Sequence, residues 1–322
     1  MKFDSATHSD YVVASRRVGA VSATFNIGLC AVVVAVLLSL AFQSTALTPQ
    51  VSSWLLPIAI VALALGVPHG AMDHLTLRRT LTSGQFSVLA LVYILIAGLG
   101  TAAIIVAPIP AFLVVLAATV WHFGTGDIEA SCSLRGTPPQ TGLSRVVLAL
   151  ALGSAPVLLP LTSPASAATL TLIEPQLGQL VTPVRILIVR TAVFIVIAVA
   201  LAILVRRKNY RATFELVALT ALGCLASPLL AFAIYFGLWH ALRHTARLAQ
   251  HLYGEVSAQT LGLTFRRGLP SLIGFIVVAG ILATRMTSLE SAGAWLWFGL
   301  AIVWGLTLPH MVFVYAFDRR RS

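Results

Sequence analysis

The chain has 322 residues, of which 58% are hydrophobic and only 10% charged, and its mean hydropathy is +0.95. A soluble domain carries about 25% charged residues, so this composition excludes an ordinary water-soluble fold and makes a bilayer the solvent for most of the chain. The net charge of +11 would suggest nucleic acid in a soluble protein. Here the basic residues form short clusters between apolar runs, the pattern of cytoplasmic loops in a membrane protein, and no nucleic-acid partner is expected.

Residues 1–17 form a polar lead, and the apolar run 18–42 is too long for the core of a cleaved signal. It is expected to be the first membrane helix. With about 20 apolar residues needed per span, further helices are expected at 51–74, 85–106, 109–126, 142–161, 184–205, 212–226, 228–248, 269–285 and 292–317. The Pro-bounded stretch 162–183 reads as the longest outer loop, with room for a short interfacial helix. The expected fold is therefore all-α, a polytopic transmembrane bundle of about ten helices. It has one membrane catalytic domain over 18–317 and a basic tail over 318–322.

Charge supports this count. Lys2, Arg16 and Arg17 precede the first run, and Arg78 and Arg79 follow the second. Arg135 and Arg145 flank the fifth. Arg206, Arg207, Lys208 and Arg211 separate the sixth from the seventh. Arg243, Arg247, Arg266 and Arg267 lie in or between the eighth and ninth, and Arg319 to Arg321 end the chain. The alternate loops are nearly free of Lys and Arg, so both termini are expected in the cytoplasm, in a multi-pass protein of the cell membrane. Arg185, Arg190 and Arg285 depart from the pattern.

Of eight histidines, seven lie at or near the ends of particular runs. His69 and His74 stand in Pro68-His69-Gly70-Ala71-Met72-Asp73-His74, and His122 in Trp121-His122-Phe123-Gly124. His240 and His244 stand in Tyr235-Phe236-Gly237-Leu238-Trp239-His240-Ala241-Leu242-Arg243-His244, with His251 beyond, and His310 follows Pro309. The topology places His69, His122, His240 and His244 at one level toward the cytoplasm, with His310 deeper. Ionisable groups inside a membrane cost roughly 2.5–3.5 kcal/mol at the centre and mark functional interiors. A single His could be a packing residue, but several helices delivering His to one depth point to a metal.

His240 and His244, four apart, share one helix face and can ligate one ion. The Glu of a zinc protease is absent, because Ala241 follows His240. Asp73 is positioned to orient His69; its plainer role is a helix-end carboxylate facing Arg78. Asp127 is either a similar partner or an interfacial charge. Cys30, Cys132 and Cys224 show no metal or redox spacing. An all-imidazole site suits zinc, copper or iron, and composition does not choose among them.

These four histidine motifs, in this order over most of the chain, resemble the Brp/Blh family of membrane β-carotene 15,15′-dioxygenases. The resemblance implies cleavage of the central double bond of β-carotene with O2, giving two molecules of retinal, and a functional link to a microbial rhodopsin. It implies Fe(II) as cofactor, held by His69, His122, His240 and His244. His74, Asp73 and His310 are expected in supporting or pocket roles. Ala241 stands where Ser looks more typical of the family. Tyr235, Trp121, Phe123 and Trp239 are expected to line a polyene pocket, their plainer role being interfacial anchors. The competing readings are a membrane desaturase or hydroxylase, which would need more His boxes and an adjacent His pair, and a transporter or assembly factor for a retinal protein.

Overall fold

The computed structural model describes residues 8–43, 61, 66, 68–70, 72, 81–284 and 292–319. Every regular element among them is helical. Helix α1 spans His8–Gln43, α2 Ser83–Val106, α3 Pro108–Arg135 and α4 Gly142–Val157. Two short helices, α5 (Ser166–Ile173) and α6 (Pro175–Gly178), lead to α7 (Pro183–Arg206) and α8 (Tyr210–Leu225). Helix α9 (Pro228–Ile234) runs through a π-helical stretch, Tyr235–His240, into α10 (Ala241–Tyr253). Helix α11 spans Ala258–Thr284 and α12 Ala292–Arg319.

The ends follow local chemistry. Thr82 and Gln85 cap α2 reciprocally, Thr82 Oγ1 accepting from Gln85 N and Gln85 Oε1 from Thr82 N. Proline occupies the first turn of α3, α7 and α9, where its missing N–H costs nothing. Helices α3 and α10 stop at Gly136 and Gly254, both in the left-handed conformation that favours glycine.

Among the described residues, five helices are long and apolar enough to cross a membrane: Gly19–Ala41, Ser83–Val106, Pro108–Arg135, Pro183–Arg206 and Trp297–Ala316. Their outer faces are apolar, with Leu91, Ile94 and Leu187 each 67% exposed, as expected of surfaces that meet lipid. The protein is an all-helical membrane protein. The expected helix at 51–74 lies almost wholly outside the described residues. The break expected at Ser227-Pro228 separates α8 from α9.

Several boundaries differ from the sequence expectation, and α1 already begins at His8 and not at 18. Helix α3 continues to Arg135 instead of ending near 126, which carries Asp127 and Glu129 within the helix and puts His122 in its middle. Helix α11 begins at Ala258, so Arg266 and Arg267 lie on a helix and not in a loop. The 162–183 stretch folds into α5 and α6, whose Leu170, Ile173 and Leu177 are buried against Ile104, Phe112 and Trp297. Its apolar side chains had another helix face to cover.

Close helix approach organises the interior. At the α3–α4 crossing a Cβ on Gly124 would strike the Ala149 carbonyl, and one on Gly153 the Val120 carbonyl. The two backbones touch through reciprocal glycines, the small-residue packing that membrane helices use where apolar burial offers little drive. Helices α2 and α12 meet likewise, with a Gly100 Cβ site 3.4 Å from Gly305 Cα. Tyr93 donates to the Leu306 carbonyl at 3.2 Å across that seam. The main core gathers Val120, Phe123, Leu148, Ala151, Ile197, Leu219, Tyr235 and Trp239 from α3, α4, α7, α8 and the π stretch.

Candidate metal centre

Five imidazoles pack around one spot inside the bundle. His69, His122, His240, His244 and His310 are each at most 8% exposed. Ring centroids lie 5.5 Å apart for His69–His240, 5.4 Å for His69–His244 and 5.3 Å for His69–His310. They lie 5.1 Å apart for both His122–His240 and His122–His310, 5.6 Å for His244–His310 and 6.4 Å for His240–His244. The rings come from the His69 turn, α3, the α9–α10 helix and α12. His310 is therefore a member of the cluster, carried there by the packing of α12 against α2 and α3.

Each ring is placed by its neighbours. The His69 turn is wedged between helices: Met72, fully buried, packs on Leu248 and Leu252 of α10. A Cβ on Gly268 of α11 would come within 2.7 Å of the Pro68 carbonyl. His69 Nδ1 donates to the Gly66 carbonyl. A histidine whose Nδ1–H is bound to a backbone carbonyl is fixed in the tautomer that leaves Nε2 as a donor atom for metal. His240 lies over Gly126 of α3, where a Cβ would stand 3.0 Å from its Cε1. Gly70 lies beneath His310, with 3.6 Å between a Cβ site and Nδ1.

The donor set suits a metal that prefers nitrogen. The Nε2 atoms of His122 and His240 are buried with no hydrogen-bond partner, and buried polar atoms are rarely left so. Among the described residues, no three His, Cys, Asp or Glu side chains already stand in metal-holding geometry. The rings surround a common spot without closing on it.

One side of the cluster is aromatic. Phe123 lies 4.5 Å from the His240 ring, and Phe236 meets His69 edge-on at 5.3 Å. Phe232 stacks on Phe236 at 5.6 Å, and Phe123 lies 6.1 Å from Phe236. Sequence reasoning missed Phe232 and Phe236, although they precede His240 at helical spacing, four residues apart and four before the ligand pair.

A buried charge network adjoins the cluster through Tyr235, whose ring contacts Phe123 and His240. Tyr235 Oη and Trp239 Nε1 both donate to Asp127 Oδ2, at 3.0 and 2.8 Å. Arg243 lies with its guanidinium 3.7 Å from the Trp239 ring centroid and 3.8 Å from Asp127 Oδ1. Its Nη2 donates to Glu215 Oε2 at 3.1 Å. Arg135 and Arg211 donate to Glu215 Oε1 at 3.3 and 3.1 Å. A cleft lined by Ser131, Thr137, Gln140 and Asn209 reaches Asp127, Glu215 and Arg243.

One helix carries both groups in adjacent stripes, Tyr235/Trp239/Arg243 toward the carboxylates and Phe236/His240/His244 toward the imidazoles. In the π stretch Ala241 N–H bonds back to the Phe236 carbonyl, five residues earlier, the widened turn often found at functional sites. Tyr235 and Trp239 are fully buried with their polar ends on Asp127, and the Tyr235 ring stacks on His240 at 6.2 Å. Trp121 is 38% exposed on the outer face of α3 and is not brought to the cluster. Phe123 is. Asp73 and His74 lie outside the described residues.

Fold and site together define a helical membrane protein with a buried polyhistidine centre beside aromatic side chains and a charge network. The family model described as beta-carotene 15,15′-dioxygenase matches residues 60–318, and the chain belongs to that family. It is 28% identical over 293 residues to "Probable beta-carotene 15,15′-dioxygenase Blh" of Halobacterium salinarum, covering 82% of this chain and 84% of that one. It is 30% identical over 264 residues to "Beta-carotene 15,15′-dioxygenase" of uncultured marine bacterium 66A03, covering 78% of this chain and 89% of that one. No solved structure matches.

Proposed function

We propose that this chain cleaves the central double bond of β-carotene with O2, one molecule of each giving two of retinal, at an iron held by His69, His122, His240 and His244. The observation that carries the reading is the meeting of these imidazoles from three separated stretches of chain in one buried spot. Bound Fe(II) would supply a redox centre able to take up O2. The protein's own part is positional. The Gly66 carbonyl holds the His69 tautomer, and Asp127 holds the helix that carries His240 and His244. Phe123, Phe232 and Phe236 offer flat apolar faces along which a polyene can lie beside the histidines.

Burial of the centre excludes bulk water from an oxidation whose substrate dissolves in lipid, and the apolar outer faces suit entry from the bilayer. We extend the reading to ten spans in a single membrane domain, 18–317, of the cell membrane, with both termini cytoplasmic and the centre toward that side. The alternation of basic and neutral loops supports it. Retinal as product suits supply to a microbial rhodopsin.

The test is expression in a bacterium that accumulates β-carotene, grown in air. Loss of yellow colour with appearance of retinal is expected, and each of His69→Ala, His122→Ala, His240→Ala and His244→Ala should abolish both while the protein still inserts. Persistent colour without retinal from the unaltered chain would overturn the reading. Full activity in any one variant would remove that residue from the ligand set. Metal analysis of the active purified protein should find iron, not zinc or copper.

A further inference from the structure

We infer that His310 is a fifth imidazole donor to the same centre, an inference that rests on the proposed metal site and extends it. Nothing in its ring contacts distinguishes His310 from the four. It faces three other imidazoles, His69, His122 and His244. That is as many as His69, His240 or His244 faces, and one more than His122. It is 4% exposed, no more than its neighbours.

Of the other three proposed ligands, the His122 ring meets that of His240. With His310 included, the rings close a circuit, His69–His240–His122–His310, in steps of 5.1–5.5 Å, with His244 beside His69 and His310. Four imidazoles without His310 leave a gap in that circuit between His69 and His122, which its ring fills.

The backbone around it serves that placement. His310 follows Pro309 inside α12, and proline frees a carbonyl and loosens the helix locally. Its ring lies over Gly70, at ordinary contact with a Cβ site, so it rests against the turn that carries His69. A residue serving only to fill space would need no ring nitrogen here, and an imidazole buried among imidazoles is costly in a membrane unless something uses it.

The experiment uses the full-length protein in detergent, loaded anaerobically with Fe(II), and counts imidazoles per iron by X-ray absorption. Five are expected, falling to four in His310→Gln, while a His251→Gln control keeps the full count. The count decides, because losing a partner outside the ligand set also weakens metal affinity, by roughly 10–100-fold. Four in the unaltered protein, or a count unchanged in His310→Gln, would overturn the inference and leave the four-histidine site standing. Failure of the unaltered protein to retain iron would overturn both. Should His310→Gln not fold, the count in the unaltered protein alone decides, five for and four against.

Discussion

The indole of Trp239 donates to Asp127 Oδ2 at 2.8 Å, and the phenol of Tyr235, one π turn earlier, donates to the same oxygen. One carboxylate on α3 thus pins two positions of the helix whose next face presents His240 and His244. Asp127 is 2% exposed, so deleting it strands two buried donors and loosens Arg243 together. Each stranded donor costs about 1–3 kcal/mol. Asp127→Ala should therefore lower both the thermal midpoint in detergent and bound iron. Asp127→Asn keeps an acceptor for Trp239 and Tyr235 and should recover most of the iron. Equal metal loss in the two variants would show that charge, not hydrogen bonding, matters.

Gly126 tests the precision required of His240. An added methyl would sit 3.0 Å from Cε1 of the ring, close enough to push it by a few tenths of an ångström. Because a misplacement of about 1 Å can cost 100-fold in rate, Gly126→Ala should lower kcat about tenfold with little change in thermal midpoint. Unchanged kcat would mean that the ring has slack.

Gly124 tests packing alone. Its Cβ would collide with the backbone carbonyl of Ala149, whereas Gly98 has nothing within 4 Å of its Cβ site. Overpacking costs about 1–3 kcal/mol, occasionally more. Gly124→Ala should cut the yield of folded protein and lower its midpoint, and Gly98→Ala should do neither. Size-exclusion profiles and thermal scans separate the two.

Glu215 is 4% exposed and receives Arg135, Arg211 and Arg243. Removing one partner of a buried ion pair typically costs about 3–5 kcal/mol, so Glu215→Ala should be severely destabilising. Arg211 is 38% exposed at its side chain, and exposed pairs contribute about 0–1 kcal/mol. Arg211→Ala should therefore fold nearly normally. Comparable losses in the two variants would contradict this ranking.

The aromatic wall should show in substrate binding. Phe236 edges His69 and stacks on Phe232, and aromatic pairs add about 0.5–1.5 kcal/mol beyond burial. Phe236→Ala should raise KM for β-carotene several-fold while iron content holds. Trp121→Ala, altering an outward ring, should leave KM unchanged. A KM shift in the second variant alone would move the polyene path to the outer face of α3.

Membrane class, all-helical fold, the positions of most described helices and the break before Pro228 were legible in the chain itself, because each depends on local properties. A run of apolar residues near 20 long, a proline that cannot continue a helix and a glycine that ends one act within a few residues of where they stand. The pairing of His240 with His244 is of the same kind, set by helical spacing. Which helices neighbour which is another matter. In lipid the inner and outer faces are almost equally apolar, so hydropathy carries little record of which face turns inward. Only the packed structure brought His310 beside His69 and His122, set the polar ends of Tyr235 and Trp239 on Asp127, and left Trp121 outside. The π stretch belongs there too: its i, i+5 backbone bond is compatible with the same residues that an α-helix would accept, and it coincides with buried contacts to α3 that no local pattern encodes.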